Sequence, residues 1–145
     1  MEAEAARKKL TGQHDRIRAR LRTCHRLAQG LLGGDPVHAE LDAAVAQLRA
    51  DLGEHNATET AMIRPLLHDS PGWGSVLLDR MLEEHLAEHA AFWELLSGPV
   101  GEVAARMGEL VEELDAHMAA EERTFLNPTV LRTDAIARHR RHDPH

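Results

Sequence analysis

Residues 75–96 read SVLLDRMLEEHLAEHAAFWELL, and this stretch decides the fold. Its apolar positions recur at alternating steps of three and four, a spacing that keeps them on one face of a helix. That face comprises Leu78, Met81, Leu82, His85, His89, Phe92 and Leu96. The stretch therefore predicts a helix that is buried along one side and carries two imidazoles, those of the motif EHLAEH, into the interior.

Helix-stopping residues lie on both sides of this stretch and recur along the chain. They are GGDP at 33–36, DSPGWG at 69–74, SGP at 97–99 and NP at 127–128. These breaks leave four long segments, at residues 3–32, 37 to about 68, 75–96 and 100 to about 125. Short loops make successive helices antiparallel, so we predict an all-α fold, an up-down-up-down antiparallel four-helix bundle. Residues 1–131 are expected to form this single domain, and residues 132–145 a basic, flexible tail.

The composition excludes several classes of protein. A formal net charge of -7 argues against nucleic-acid binding, because phosphate neutralisation needs a basic face. No apolar run reaches the ~20 residues that cross a bilayer, and the N-terminus lacks the apolar core of a secretory signal, so we expect a cytoplasmic protein. Cys24 is the single cysteine. It excludes an internal disulfide and a thiolate-rich metal site, so any metal must be bound by nitrogen and oxygen.

Polar side chains interrupt the apolar faces of the other helices as well. They are His14 in the first segment, His55 and Glu59 in the second, and His117 and Glu121 in the fourth. An unpartnered buried polar group costs roughly 1 to 3 kcal/mol, against a total stability of about 5 to 15 kcal/mol. In an antiparallel bundle their distances from the helix ends place them in one layer with His85 and His89.

Five imidazoles and two carboxylates are too many for one tetrahedral zinc ion, and they suit two octahedral ions. If both carboxylates bridge the ions together with one oxide or hydroxide, every coordination position but one is filled. The remaining position is open to a small ligand. A hydrogen-bonded histidine and glutamate network without metal is the alternative interpretation.

These motifs also resemble a known family. HDRIRARL from His14, HNATE at 55–59 with MIRP downstream, EHLAEH, and HMAAEE at 117–122 followed by FLNP look like the bacterial hemerythrin-like (HHE cation-binding) domain. The resemblance covers essentially the whole chain. It implies two non-heme iron ions with an oxo or hydroxo bridge, and dioxygen binding at one iron. By this likeness the ligands would be His14, His55, Glu59, His85, His89, His117 and a glutamate of the last motif.

The identity of that last glutamate is open. Oxygen-carrying hemerythrins place it five residues after the histidine, which is Glu122, whereas many HHE domains place it four residues after, which is Glu121. The phase of the apolar face favours Glu121. Thr60 follows Glu59 where the family often has a second acidic residue, a departure that we do not expect to affect ligation.

The expected function is oxygen binding, storage or sensing, with dioxygen or another small diatomic or peroxide ligand as the partner. No protein partner is predicted, although a sensor would need one. The alternatives are a diiron enzyme acting on peroxide, dioxygen or nitric oxide, and an iron-handling or iron-sensing protein. The sequence does not decide between enzyme and binding protein. A ferritin-like site would need Glu-x-x-His pairs, which this sequence lacks.

Several other residues have simpler interpretations. His25 is about 16 Å beyond His14 along the helix and out of the layer. His38 and His68 are expected on the surface. Cys24 is expected as an apolar filler in the core. Trp93 is predicted either to form a wall of the metal pocket or to be a core aromatic.

Overall fold

The computed structural model describes the backbone of residues 3–67 and 75–123, with the side chains of residues 4–62, 79–80 and 83–123. This part of the chain consists of four helices: α1 (Ala3–Leu32), α2 (His38–Leu67), α3 (Ser75–Leu96) and α4 (Val100–Arg123). The predicted all-α fold is confirmed, and α2 begins one residue later than expected. The predicted tail at 132–145, the NP break and His68 lie outside the described residues.

The turn between α1 and α2 follows from the glycines of the GGDP break. Gly34 has a φ of 98°, a left-handed conformation that glycine adopts without strain. Its N–H donates to Leu31 O at 3.1 Å, and the N–H of Asp35 donates to Gly30 O at 2.8 Å. This pair of bonds is a Schellman motif, which satisfies the last carbonyls of α1 and reverses the chain.

The turn between α3 and α4 is even shorter, since α3 ends at Leu96 and α4 begins at Val100. The N–H of Gly98 donates to Leu95 O at 3.2 Å, and Pro99 O accepts the N–H groups of Glu102 and Val103 at 3.0 Å each. Arg49 of α2 donates to Leu96 O at 2.7 Å and so ties the end of α3 to its neighbour. The helices on both sides of this loop therefore run antiparallel.

The four helices pack as a bundle in which α1 lies against α2 and α4, and α3 closes the other side. Their buried faces form one apolar core, which includes Ile17, Leu21, Cys24, Ala28, Leu41, Val45, Leu48, Leu52, Phe92, Leu96, Val103, Met107, Leu110, Leu114 and Met118. These are mainly the positions that the three-and-four spacing predicted. None of the helices in the described ranges combines the length and apolar character that crossing a bilayer requires.

The predicted polar layer lies between this core and a smaller apolar end formed by Ala6 and Leu10, both fully buried. Cys24 is buried in the core as expected, and burial raises the pKa of its thiol to about 11. The prediction of Trp93 as a core aromatic is wrong, since its side chain is 47% exposed. Trp93 instead lines a cavity at the surface between α2 and α3.

Candidate metal centre

Seven ionisable side chains from all four helices converge in one layer of the bundle interior. They are His14 of α1, His55 and Glu59 of α2, His85 and His89 of α3, and His117 and Glu121 of α4. None of these side chains is more than 8% exposed. Because positions four apart lie one above the other on a helix, each paired motif delivers both of its groups to the same side. The structure thus brings together all seven residues singled out from the helix phase.

The seven side chains form two groups that share one carboxylate. The two-histidine group is His14, His55, Glu59 and Glu121, and the three-histidine group is His85, His89, His117 and Glu121. Within each group one nitrogen or oxygen of every residue lies within 4.8 Å of the others. Each group is therefore compact enough to surround a single metal ion.

Both carboxylates reach from one group to the other. Glu121 places Oε1 2.8 Å from His14 Nε2 and Oε2 2.9 Å from His85 Nε2. Glu59 places Oε2 2.6 Å from His55 Nε2, while its Oε1 contacts His85 Nε2. One oxygen of each carboxylate thus faces each group, which is the arrangement of a bridging ligand.

The outer nitrogen of His55 is held by a chain of hydrogen bonds with a defined direction. Thr58 Oγ1 donates to Glu54 O at 2.9 Å, and it therefore accepts from Gln13 Nε2 at 3.1 Å. That assignment leaves Gln13 Oε1 as the acceptor for His55 Nδ1, at 2.9 Å. Because Nδ1 of His55 carries the proton, Nε2 of the neutral ring presents a lone pair to the interior.

Carboxylates hold the outer nitrogens of two further histidines. His14 Nδ1 lies 2.7 Å from Glu122 Oε2, and Glu122 also binds Arg18 at 2.9 Å. His117 Nδ1 contacts Glu88 Oε2 across the α3–α4 interface. A carboxylate that accepts the outer N–H fixes the ring orientation and makes the inner nitrogen a better metal ligand.

When the rings are neutral, their inner nitrogens face one another and the carboxylate oxygens as lone pairs. His14 Nε2 lies 3.1 Å from His55 Nε2 and 2.8 Å from Glu121 Oε1, so lone pairs converge on the same space. Among the described residues, both oxygens of Glu59 and Nε2 of His117 have no hydrogen-bond partner of acceptable geometry. Buried acceptors that converge in this way need positive charge between them, either protons or metal ions. The donor set fits metal ions with nitrogen and oxygen preferences.

The comparison with known proteins agrees with this geometry. Residues 5–99 match the family described as hemerythrin HHE cation binding domain. The chain belongs to this family. The match contains five members of the layer, and the two from α4 lie beyond it, so that His117 and Glu121 are placed by the structure alone. No curated protein and no solved structure matches the chain.

Three histidines of this hemerythrin-like domain, His55, His85 and His117, have raised pKa values. Burial disfavours the charged form of His55, but the adjacent carboxylates of Glu121 and Glu59 outweigh it and raise its pKa to about 9. Burial and the same two carboxylates act in the same way on His85, whose pKa rises to about 10. Without metal, the domain therefore stores protons in the space between the carboxylates.

The pKa values of His89 and Glu121 are lowered instead. Burial, together with repulsion from His85 and His117, lowers the pKa of His89 to about 3, so His89 stays neutral. Burial would raise the pKa of Glu121, but the adjacent imidazoles of His117 and His14 outweigh burial and hold that pKa far below its usual range. The shared carboxylate is therefore ionised, as a bridging ligand must be.

A groove between α3 and α4 leads from the surface to the three-histidine group. Its volume is about 600 Å³, and it is lined by Glu84, His85, Glu88, Ala91, Phe92, Glu113, Ala116, His117, Ala120 and Glu121. A smaller cavity of about 270 Å³ between α2 and α3 reaches His89 and is lined in part by Trp93 and Gly53. Trp93 thus borders an outer cavity that reaches His89, and its role as a wall of the metal pocket stays a prediction.

The sequence interpretation did not identify the residues that hold the outer nitrogens. Gln13 and Glu88 were not singled out, although each directly precedes a histidine of the layer in the chain. Glu122, a candidate ligand in the sequence, faces the outer side of His14 instead of the interior. A search for polar residues next to each interior histidine in the chain could have suggested these partners.

Proposed function

We propose that this hemerythrin-like domain holds two iron ions among its seven interior side chains and binds dioxygen, or a similar small ligand, at one of them. The observation that carries the proposal is the inequality of the two groups. Glu121 belongs to both groups and Glu59 also contacts His85, but one group contains three imidazoles and the other only two.

The number of donors follows from this inequality. His85, His89 and His117 would hold one ion together with the two carboxylates, with enough donors to fill an octahedral site once an oxide or hydroxide is added. His14 and His55 with the same carboxylates would offer the other ion one donor fewer, which would leave a place for an exogenous ligand. His14 and His55 would therefore stand beside the ligand-binding position.

The donor types support iron over several other metals. Imidazole and carboxylate ligands suit iron, whereas thiolates, which select zinc and copper(I), are absent from the layer. When bound, the iron pair would supply the electrons that a dioxygen ligand takes up. The protein's own contribution is to orient the imidazoles through their outer hydrogen bonds and to limit water around them.

On one side of the layer, apolar residues limit the access of water to the imidazoles. Phe92, itself only 8% exposed, turns its ring edge toward His117 and His89 at centroid distances of 5.8 and 6.4 Å. Met118 and Leu114 are fully buried in the adjoining layer of the core. An apolar boundary of this kind slows solvent access and influences the redox potential of a metal pair.

The test combines elemental analysis with absorption spectroscopy of the dithionite-reduced protein before and after air is admitted. We expect about two irons per chain, as two octahedral sites require, and a charge-transfer band that disappears on deoxygenation. Irreversible oxidation would instead favour a diiron enzyme or an iron-handling protein. A chain that binds no iron would contradict the proposal.

Two substitutions on α1 make the test specific. H14A removes an inner ligand, so it should lower the iron content and abolish the reversible band. H25A removes an imidazole from the same helix that lies outside both groups, and it should leave iron content and spectrum unchanged. Equal effects of the two substitutions would argue against a site in the predicted layer.

A further inference from the structure

The groove between α3 and α4 has a charge that the proposed centre does not itself require. Glu84 and Glu88 of α3 and Glu113 of α4 line it, and all three are exposed. Among the described residues, neither Glu84 nor Glu113 takes part in an ion pair with a basic side chain. The groove therefore has exposed carboxylates on both of its walls.

The inner end of the groove consists of donor atoms of the three-histidine group. His85, His117 and Glu121 line it. The side chain of His117 is only 8% exposed, and its Nε2 has no hydrogen-bond partner of acceptable geometry among the described residues. A nearly buried ring nitrogen of the three-histidine group thus lies at the inner end of the groove.

The α1–α4 side of the layer carries charges of both signs, and its acidic side chains are paired with Arg18. A cavity of about 380 Å³ between α1 and α4 is lined by Arg18 and Arg22, with Asp115, and it reaches none of the seven interior residues. Arg18 also binds Glu122, which covers the outer nitrogen of His14. The carboxylates on this side are therefore partly neutralised by Arg18, whereas Glu84 and Glu113 of the groove have no such basic partner among the described residues.

From this asymmetry we propose that the α3–α4 groove is the entry route for divalent metal ions, with the three-histidine group as the first position reached and the two-histidine group loaded through it. The inference rests on the proposed metal-binding function and adds to it the route by which metal ions enter. Negative clefts raise the local concentration of cations and their association rate, by 10-fold or more in strong cases.

The experiment follows the loading of the metal-free protein with Co²⁺ alone by stopped-flow absorption, at low and high salt. The test variant is E84Q/E113Q, which neutralises two groove carboxylates that touch no interior donor. The matched control is E83Q/E112Q, which removes the same charge from the neighbouring positions of the same helices. Glu83 and Glu112 are exposed and lie outside the groove.

We expect all three proteins to reach the same final cobalt content, about two ions per chain. E84Q/E113Q should load at least about threefold more slowly at low salt, and the difference should shrink at high salt because screening removes the attraction. Equal rates for the test and control variants would overturn the entry route while leaving the metal-binding proposal intact. No cobalt uptake by any of the proteins would overturn both.

A steric pair provides a second measurement that does not depend on charge. A116L adds volume to the wall of the groove, whereas A105L adds the same volume at an exposed position of α4 outside it. Slower loading of A116L alone, with an unchanged final spectrum, is the expected result. Equal loading rates for the two variants would count against passage through the groove.

Discussion

Glu121 and Glu122 are neighbours in the chain, yet their carboxylates bind opposite edges of the same imidazole. Glu121 Oε1 lies 2.8 Å from Nε2 of His14, and Glu122 Oε2 lies 2.7 Å from its Nδ1. The first carboxylate is 3% exposed and the second 30%. A shift of one residue along the helix therefore changes the role of the carboxylate. Glu121 faces the interior as a candidate ligand, whereas Glu122 orients His14 from outside.

This relationship predicts different outcomes for two similar substitutions. E121Q should remove the shared bridging carboxylate and reduce metal content below two ions per chain, because an amide is a poor bridge. E122Q should retain both ions but weaken binding by about 10- to 100-fold, the usual effect of losing an outer partner of a ligand. Metal titration of each variant distinguishes the roles. The opposite ranking would make Glu122 the ligand.

The hydrogen bond from His55 to Gln13 yields a second prediction. Q13A removes the only acceptor that the described structure shows for His55 Nδ1. The imidazole can then rotate, so we expect affinity at the two-histidine group to fall by about 10-fold or more. Q29A, an exposed glutamine on the same helix, is the control. If Q13A and Q29A bind metal equally well, the orienting role of Gln13 is wrong.

Metal removal should destabilise the domain without unfolding it. The apolar core from Ile17 to Met118 does not include the layer, so the helices should persist after chelation. A ligand present at 100 times its dissociation constant stabilises the folded state by about 2.7 kcal/mol, and chelation should lower the melting temperature accordingly. Circular dichroism measures both quantities. A large loss of helicity at room temperature would instead favour an iron-sensing role.

Metal binding should release protons at neutral pH. In the metal-free protein the pKa values of His55 and His85 are about 9 and about 10, so both rings are protonated at pH 7. Ligation requires neutral imidazoles, and we therefore expect release of about two protons per chain at pH 7, decreasing toward zero above pH 10. Calorimetry in buffers of different ionisation enthalpy measures this number. Proton release that does not depend on pH would contradict it.

The same pKa values give the metal-free protein a defined stability profile. His55 and His85 have folded-state pKa values above the ordinary 6.5, so their contribution to stability is complete below pH 6.5 and is lost as the pH rises through 9 to 10. His89 acts in the opposite sense, since its pKa is lowered to about 3 and stability is lost as the pH falls from 6.5 toward that value. Thermal melts of the metal-free chain across this range test both slopes.

The sequence was sufficient to predict the helices and the depth of the layer. Gly34 and Pro99 fall where a helix cannot continue, and the apolar spacing identifies the buried face of each segment. Both signals are local, because backbone conformation and side-chain period are properties of a few adjacent residues. The pairs His55 with Glu59 and His85 with His89 follow from the same period.

Only the tertiary structure decided which atoms meet across the helices. The contact of Glu122 with His14, the exposure of Trp93 and the partnership of Gln13 with His55 all depend on how far each helix is rotated about its axis. That rotation is set by packing among four helices, which no single segment encodes. The sequence thus determined the helices and the composition of the layer, whereas packing determined its two unequal groups and the groove that opens onto one of them.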